Sequence, residues 1–280
     1  MKFLSLIKSL RNLTWPALAM AAMPSQAAIT CGVTSNGFSS AYVPANPGTN
    51  VTAASFTMTC TRGATGDATS QAYTVKVDNG LNPAGQNNQA ANGASRIKYD
   101  LFTNNTCATQ WKGGTTLGGT ITLGAVGIPA SQTIPFWGCI PAAQTTVPAG
   151  TFVDIVTMTP TIGNAATFPV SIVTPSSCTI TSPPGRINFN YVAFQGLPAA
   201  ASTGFAATCT SLLPYSMALD ATSGVMAGLA YTLSLSATSN VGNGLSQPYT
   251  VNGTMASGQS GICAAGVCTA TQARTLTITY

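Results

Sequence analysis

Tyr99-Asp100-Leu101-Phe102 returns in the second half of the chain as Tyr231-Thr232-Leu233-Ser234, and three further matches follow in the same order. Ile134-Pro135-Phe136 is answered by Gln247-Pro248-Tyr249. Ala142-Ala143-Gln144 with Ala149-Gly150 is answered by Ser257-Gly258-Gln259 with Ala265-Gly266. Each half then closes on a Thr-rich alternating stretch. Agreement in order as well as in kind marks an internal duplication, so the chain reads as one structural unit used twice.

The unit is β. Ala54 to Cys60, Ala72 to Val77, Ile97 to Phe102, Thr151 to Thr157, Tyr231 to Leu235 and Thr275 to Tyr280 alternate or carry β-branched and aromatic residues. Between them stand turn signals such as Asn79-Gly80, Asn92-Gly93, Asn164-Ala165, Asn243-Gly244 and Asn252-Gly253. Many short strands at this spacing predict two β-sandwiches. The boundary is expected near Gly163-Asn164, giving units 29–163 and 164–280, with Phe168, Val170 and Ile172 opening the first strand of the second.

Ahead of both units, Lys2, Lys8 and Arg11, the apolar run Leu13 to Met23 and the small residues around Ser25-Gln26-Ala27 read as an export signal, residues 1–28. Pro16 and the short apolar length argue against a membrane anchor. Charged residues make up 5% of the chain, far below the usual value of about 25%. Removing the three signal cations from the formal +5 leaves about +2, which is no nucleic-acid footprint.

Eight cysteines divide evenly: Cys31, Cys60, Cys107 and Cys139, then Cys178, Cys209, Cys263 and Cys268. An even count behind an export signal reads as disulfides. The repeat suggests Cys31 with Cys60 and Cys178 with Cys209, leaving Cys107 with Cys139 and Cys263 with Cys268, among the three arrangements that four cysteines allow in each half. The chain has no His and no Cys-x-x-Cys, so no zinc site is expected. The same lack of His excludes Ser-His-Asp and Cys-His catalysis. Its five acids are all Asp, and the spacing of Asp78, Asp100, Asp154 and Asp220 sets no two of them together for glycoside hydrolysis. No enzyme and no cofactor is expected. The Asn-x-Thr triplets at Asn50, Asn104 and Asn252 are what Asn-rich turns generate by chance.

An early Cys, a second about thirty residues later, then Tyr-x-Leu, Pro-aromatic, an Ala-Gln or Gly-Gln turn, Ala-Gly and a Thr-rich final strand together resemble the spore coat protein U domain. The resemblance covers two copies. The extra pairs Cys107/Cys139 and Cys263/Cys268 depart from its simplest pattern. A signal peptide followed by two such domains is similar to the two-domain tip adhesins of archaic chaperone-usher pili. What the resemblance implies is an all-β chain of two immunoglobulin-like, pilin-like sandwiches, the C-terminal one incomplete and strand-accepting. A periplasmic chaperone would fill its groove first, an outer-membrane usher would assemble it, and an adjacent pilin would donate the final strand. Leu276, Ile278 and Tyr280 alternate with Thr275, Thr277 and Thr279, and the resemblance makes them the chaperone-docking strand.

Only Ala28, Ile29 and Thr30 separate the expected cleavage site from Cys31. A donor arm needs roughly ten or more residues of alternating apolar extension, so this chain is expected to receive a strand and give none, a property suited to the end of a fibre. Apolar residues in turn-rich stretches, Leu81 with Pro83, Leu117, and Val126 with Ile128 and Pro129, are candidate adhesive loops. Phe136 and Trp137 read as core, and Trp111 as either a sugar-stacking or a half-buried residue. The second functional class is a structural protein of a bacterial outer coat or envelope.

Overall fold

The structure, a computed structural model, describes residues 28–112, 114–264 and 266–280. The export segment falls outside them except for its last residue. Ten strands build the first sandwich: β1 (Thr30–Ser35), β2 (Phe38–Ala41), β3 (Asn50–Thr61), β4 (Ser70–Val77), β5 (Asn88–Asn92), β6 (Ser95–Phe102), β7 (Leu117–Thr122), β8 (Ala130–Ile140), β9 (Gly150–Pro160) and β10 (Ala166–Thr174). One sheet runs β1-β3-β8-β6, and the facing sheet carries β7, β4, β5, β9, β10 and β2. β6 serves both, pairing β8 through Asp100–Phe102 and β5 through Ser95–Tyr99.

Strand alternation decides which residues enter the core. Along β3, Phe56, Met58 and Cys60 are buried, while Thr57 and Thr59 turn outward and bond across the ladder to Thr133 (3.0 Å) and Ser131 (2.7 Å). Trp111 is fully buried, stacks on Phe56 at 5.4 Å and leans on Phe136 at 5.2 Å, and its indole N–H donates to the Val75 carbonyl (3.0 Å). A buried indole needs such an acceptor. The sugar-stacking reading of Trp111 is therefore corrected: its ring has no face left for a ligand.

A second correction concerns β10. The sequence placed Phe168, Val170 and Ile172 at the start of the second unit, but all three are fully buried in the first core, where Phe168 meets Phe136 at 5.4 Å. β10 pairs antiparallel with β9 along its whole length and parallel with β2 from Phe38 to Ala41. Period-two alternation says that one face of a strand is buried without saying in which sandwich. The break between the two sets of strands falls in Pro175-Ser176-Ser177, after β10.

The second sandwich comprises β11 (Cys178–Ser182), β12 (Ala199–Cys209), β13 (Pro214–Leu219), β14 (Ser223–Met226), β15 (Leu229–Leu235), β16 (Ser239–Val241), β17 (Ser246–Met255) and β18 (Leu276–Thr279). Its sheets are β11-β12-β17-β15-β14 and β16-β13-β18. Here the buried residues fall into two separate clusters, one around Phe205, Tyr215 and Tyr249, the other around Tyr231, Leu233 and Met255. The first sandwich has a single cluster.

Disulfides join Cys31–Cys60, Cys107–Cys139, Cys178–Cys209 and Cys263–Cys268. The first and third each staple directly opposed residues of a sandwich's first two long-range partners, β1 to β3 and β11 to β12. The Cys178–Cys209 bridge spans 31 residues and Cys263–Cys268 only 5. Loop-closure entropy sets the loss at about 3.7 kcal/mol for serine replacement of the former pair and about 2 kcal/mol for the latter. Urea unfolding of the two double variants is expected to give that order.

A candidate strand-accepting groove

The two sandwiches share a set of equivalent hydrogen bonds. Tyr73 donates to Gln132 Oε1 (3.0 Å), as Tyr215 does to Gln247 Oε1 (2.9 Å). Gln144 brackets the backbone of Lys98, accepting at 2.8 Å and donating at 3.0 Å, and Gln259 brackets Ala230 at 2.6 and 2.9 Å. Tyr42 bonds Pro141 and Gln144 as Tyr191 bonds Ala256 and Gln259. Asp78 accepts the Thr157 N–H and Asp220 that of Thr275. Leu101 lies opposite Gly138 and Leu233 opposite Gly253, so the Tyr-x-Leu match is in register. The Pro-aromatic match is not: Gln132 corresponds to Gln247, which sets Ile134 against Tyr249 and Phe136 against Val251. A shift of two keeps the inward face, which is why it passes unnoticed in sequence.

The glutamine turns differ in one respect. Both need a left-handed residue, supplied by Gly258 (φ 76°) in the second copy but by Ala143 (φ 60°) in the first. That conformation costs a non-glycine residue about 1–2 kcal/mol. Ala143→Gly is accordingly expected to stabilise the first sandwich by about 1 kcal/mol, read in chemical denaturation.

These equivalences expose a missing strand. β11 corresponds to β1, β12 to β3, β13 to β4, β15 to β6, β17 to β8 and β18 to β9, whereas β10 has no counterpart among the described residues. β18 pairs with β13 along one edge, and the edge that β9 gives to β10 carries no strand among the described residues. The counterpart of β2 is likewise unpaired: Phe189 covers Gly253 as Phe38 covers Gly138, each ring filling the space a Cβ would take, yet residues 183–191 join no ladder. The unpaired edge between this segment and β18 is the candidate groove, and Ile187, Phe189, Leu219, Leu276 and Ile278 of these elements are half-buried against the core. It explains why β18 spans four residues against eleven for β9. The first half of β9 is held chiefly by β10, and residues 268–274 lack that support.

Polar groups line the far end. Tyr99 donates to buried Asp154 (2.7 Å), and burial, reinforced by that carboxylate, pushes its hydroxyl far above the usual phenol range. In the second sandwich Tyr231 donates to Gln272 (2.7 Å) and accepts from Arg274 Nε (3.0 Å). Tyr215, which also bonds Tyr249, is raised by burial first and by that neighbour second.

Leu276 and Ile278 are half-buried against the core, and Tyr280 is exposed. The candidate adhesive residues separate. Val126, Ile128 and Pro129 are exposed in the β7–β8 turn, at the end of the sandwich opposite the one where β10 leads into β11. Arg62 fastens that turn to its neighbour by donating to the carbonyls of Gly124, Thr65 and Asp67. Exposed Leu81, with Pro83, sits beside the middle of β9, where its N–H meets Asp154 (2.8 Å). Leu117 is packed against the core, which removes it from any adhesive tip. Sequence reading missed Phe189, Gln272, Arg274 and Arg62; only the paired glycines Gly138 and Gly253 carried a signal for the first of them.

The chain matches the Spore Coat Protein U domain over residues 17–159. No curated protein matches it. Among solved structures it is similar to the CsuC-CsuE chaperone-tip adhesion subunit pre-assembly complex from archaic chaperone-usher Csu pili of Acinetobacter baumannii, at 15% identity and TM-score 0.43, over 90% of this chain and 100% of that one. It is also similar to the CupB6 tip adhesin of Pseudomonas aeruginosa, at 8% identity and TM-score 0.38, over 89% and 94% of the two chains. A chaperone-tip adhesin complex of CFA/I fimbriae gives 10% identity and TM-score 0.30, over 88% and 96%.

Proposed function

This chain belongs to the Spore Coat Protein U domain family, and we propose that it is an exported pilus-tip subunit whose second sandwich is completed by a strand from an assembly partner. The observation that carries this reading is the open edge of β18 beside the unpaired segment 183–191, set against the filled equivalent between β9 and β2. An edge flanked by apolar walls takes an extended peptide, with backbone bonds for affinity and alternate side chains for specificity. A periplasmic chaperone fills the groove during export, an outer-membrane usher receives the complex, and an adjacent pilin supplies the permanent strand.

The first sandwich has its own β10 and needs no donor. Its free end presents Val126 and Ile128, an exposed apolar pair suited to surface attachment and biofilm formation. With cleavage after Ala27 or Ala28, the residues that follow enter β1 at Thr30, leaving no arm to pass on. The subunit then caps the fibre.

Immunogold microscopy with an antibody against the first sandwich, beside a deletion strain, tests this. Label at fibre ends with attachment lost in the deletion is the expected result. Label along shafts sinks the capping role, and label spread over the envelope favours a coat protein.

A further inference from the structure

The open groove is not a copy of the filled one, and the difference lies in charge. The Asp78–Thr157 and Asp220–Thr275 bonds fix the register, so Arg274 stands where the first sandwich has Val156. Val156 is fully buried and lies directly opposite Phe168 of β10. Where one copy sets valine against phenylalanine, the other therefore carries an arginine at the position a docking strand would lie opposite.

That guanidinium is incompletely partnered. Its Nε donates to Tyr231 Oη (3.0 Å), one Nη donates to the Ser223 carbonyl (2.8 Å), and its centre lies 5.6 Å from the middle of the Tyr231 ring. The nearest carboxylate, Asp220, is 3.8 Å away and 42% exposed. Five N–H groups are available on an arginine, so water serves the remainder while the groove is open. A docking strand removes that water. A phenylalanine at the Phe168 position would leave a buried cation with one distant, wet counter-charge, a costly arrangement, whereas a carboxylate there would pair with it. After Cys178 the cations are Arg186 and Arg274 and the sole acid is Asp220, so no other acid of this sandwich can do it.

Resting on the strand-accepting reading above, we infer that the strand completing the second sandwich carries an acidic side chain opposite Arg274, at the register position Phe168 holds in β10, within an otherwise alternating apolar sequence. The neighbouring inward position, opposite Gln272, takes an apolar residue as Val170 does, because the Gln272 oxygen is already satisfied by Tyr231.

Two synthetic peptides test it on the full chain by calorimetric titration: the β10 sequence Asn164–Thr174, and the same peptide carrying Phe168→Glu. The glutamate peptide is expected to bind at least about tenfold tighter at low salt and to lose most of that advantage at high salt. In the Arg274→Val protein the ranking is expected to invert, and Arg274→Gln provides the comparison if valine perturbs folding. Preference of the unaltered chain for the phenylalanine peptide, or a ranking that neither variant moves, overturns the inference while leaving the groove an acceptor. Binding of neither peptide to the folded chain overturns the acceptor reading and the inference with it.

Discussion

Phe168→Ala in the full chain is expected to cost the first sandwich about 3–5 kcal/mol, and a chain ended at Gly163 is expected not to fold that sandwich at all. Phe168 is fully buried against Phe136, and the strand that carries it closes both β9 and β2. Removing β10 opens two ladder edges and the floor of the core at once. A chain ended at Ser177 keeps the strand and is expected to unfold cooperatively in urea. If the version ended at Gly163 melted with the same midpoint and slope, β10 would be an accessory rather than the closing strand.

The converse experiment concerns the second sandwich. Tyr280 corresponds in register to Ile162, so adding the sequence Gly163–Thr174 after Tyr280 would place a β10 equivalent along the open edge of β18 with no designed linker. The expected gain is about 2 kcal/mol, which for a unit of this size raises its melting midpoint by about 10 °C. It arises because three inward side chains leave water while their strand is ordered at short tether length. Amide exchange at Leu276–Thr279 is expected to slow, since an edge strand becomes an interior one. An unchanged midpoint with the added residues still exchanging freely would mean that the edge does not accept a strand. A graft carrying Phe168→Glu is expected to exceed the unaltered graft, for the reason given for Arg274.

Much of this was legible in the residues because sandwiches are written in period two. The alternation of Phe56, Met58 and Cys60 with Thr57 and Thr59 needs no partner to be recognised. The repeat of Tyr99-x-Leu101 at Tyr231-x-Leu233 declared two copies, and the structure puts both leucines opposite equivalent glycines. Leu117 went astray because a turn-rich neighbourhood does not reveal whether a side chain points in or out. Trp111 is ambiguous in sequence because the Val75 carbonyl that accepts its indole N–H lies 36 residues away along the chain.

By itself the sequence determined the strand class, the duplication and the family, because these depend on local alternation and on residues repeated in order. Only the tertiary structure decided that β10 belongs to the first sandwich, that its counterpart is absent from the second among the described residues, and that Arg274 stands at the register position of buried Val156. The physical reason is that a strand's hydrogen-bonding edges carry no side-chain signature. Which chain satisfies them, and what charge meets it there, is settled by register between segments far apart in sequence.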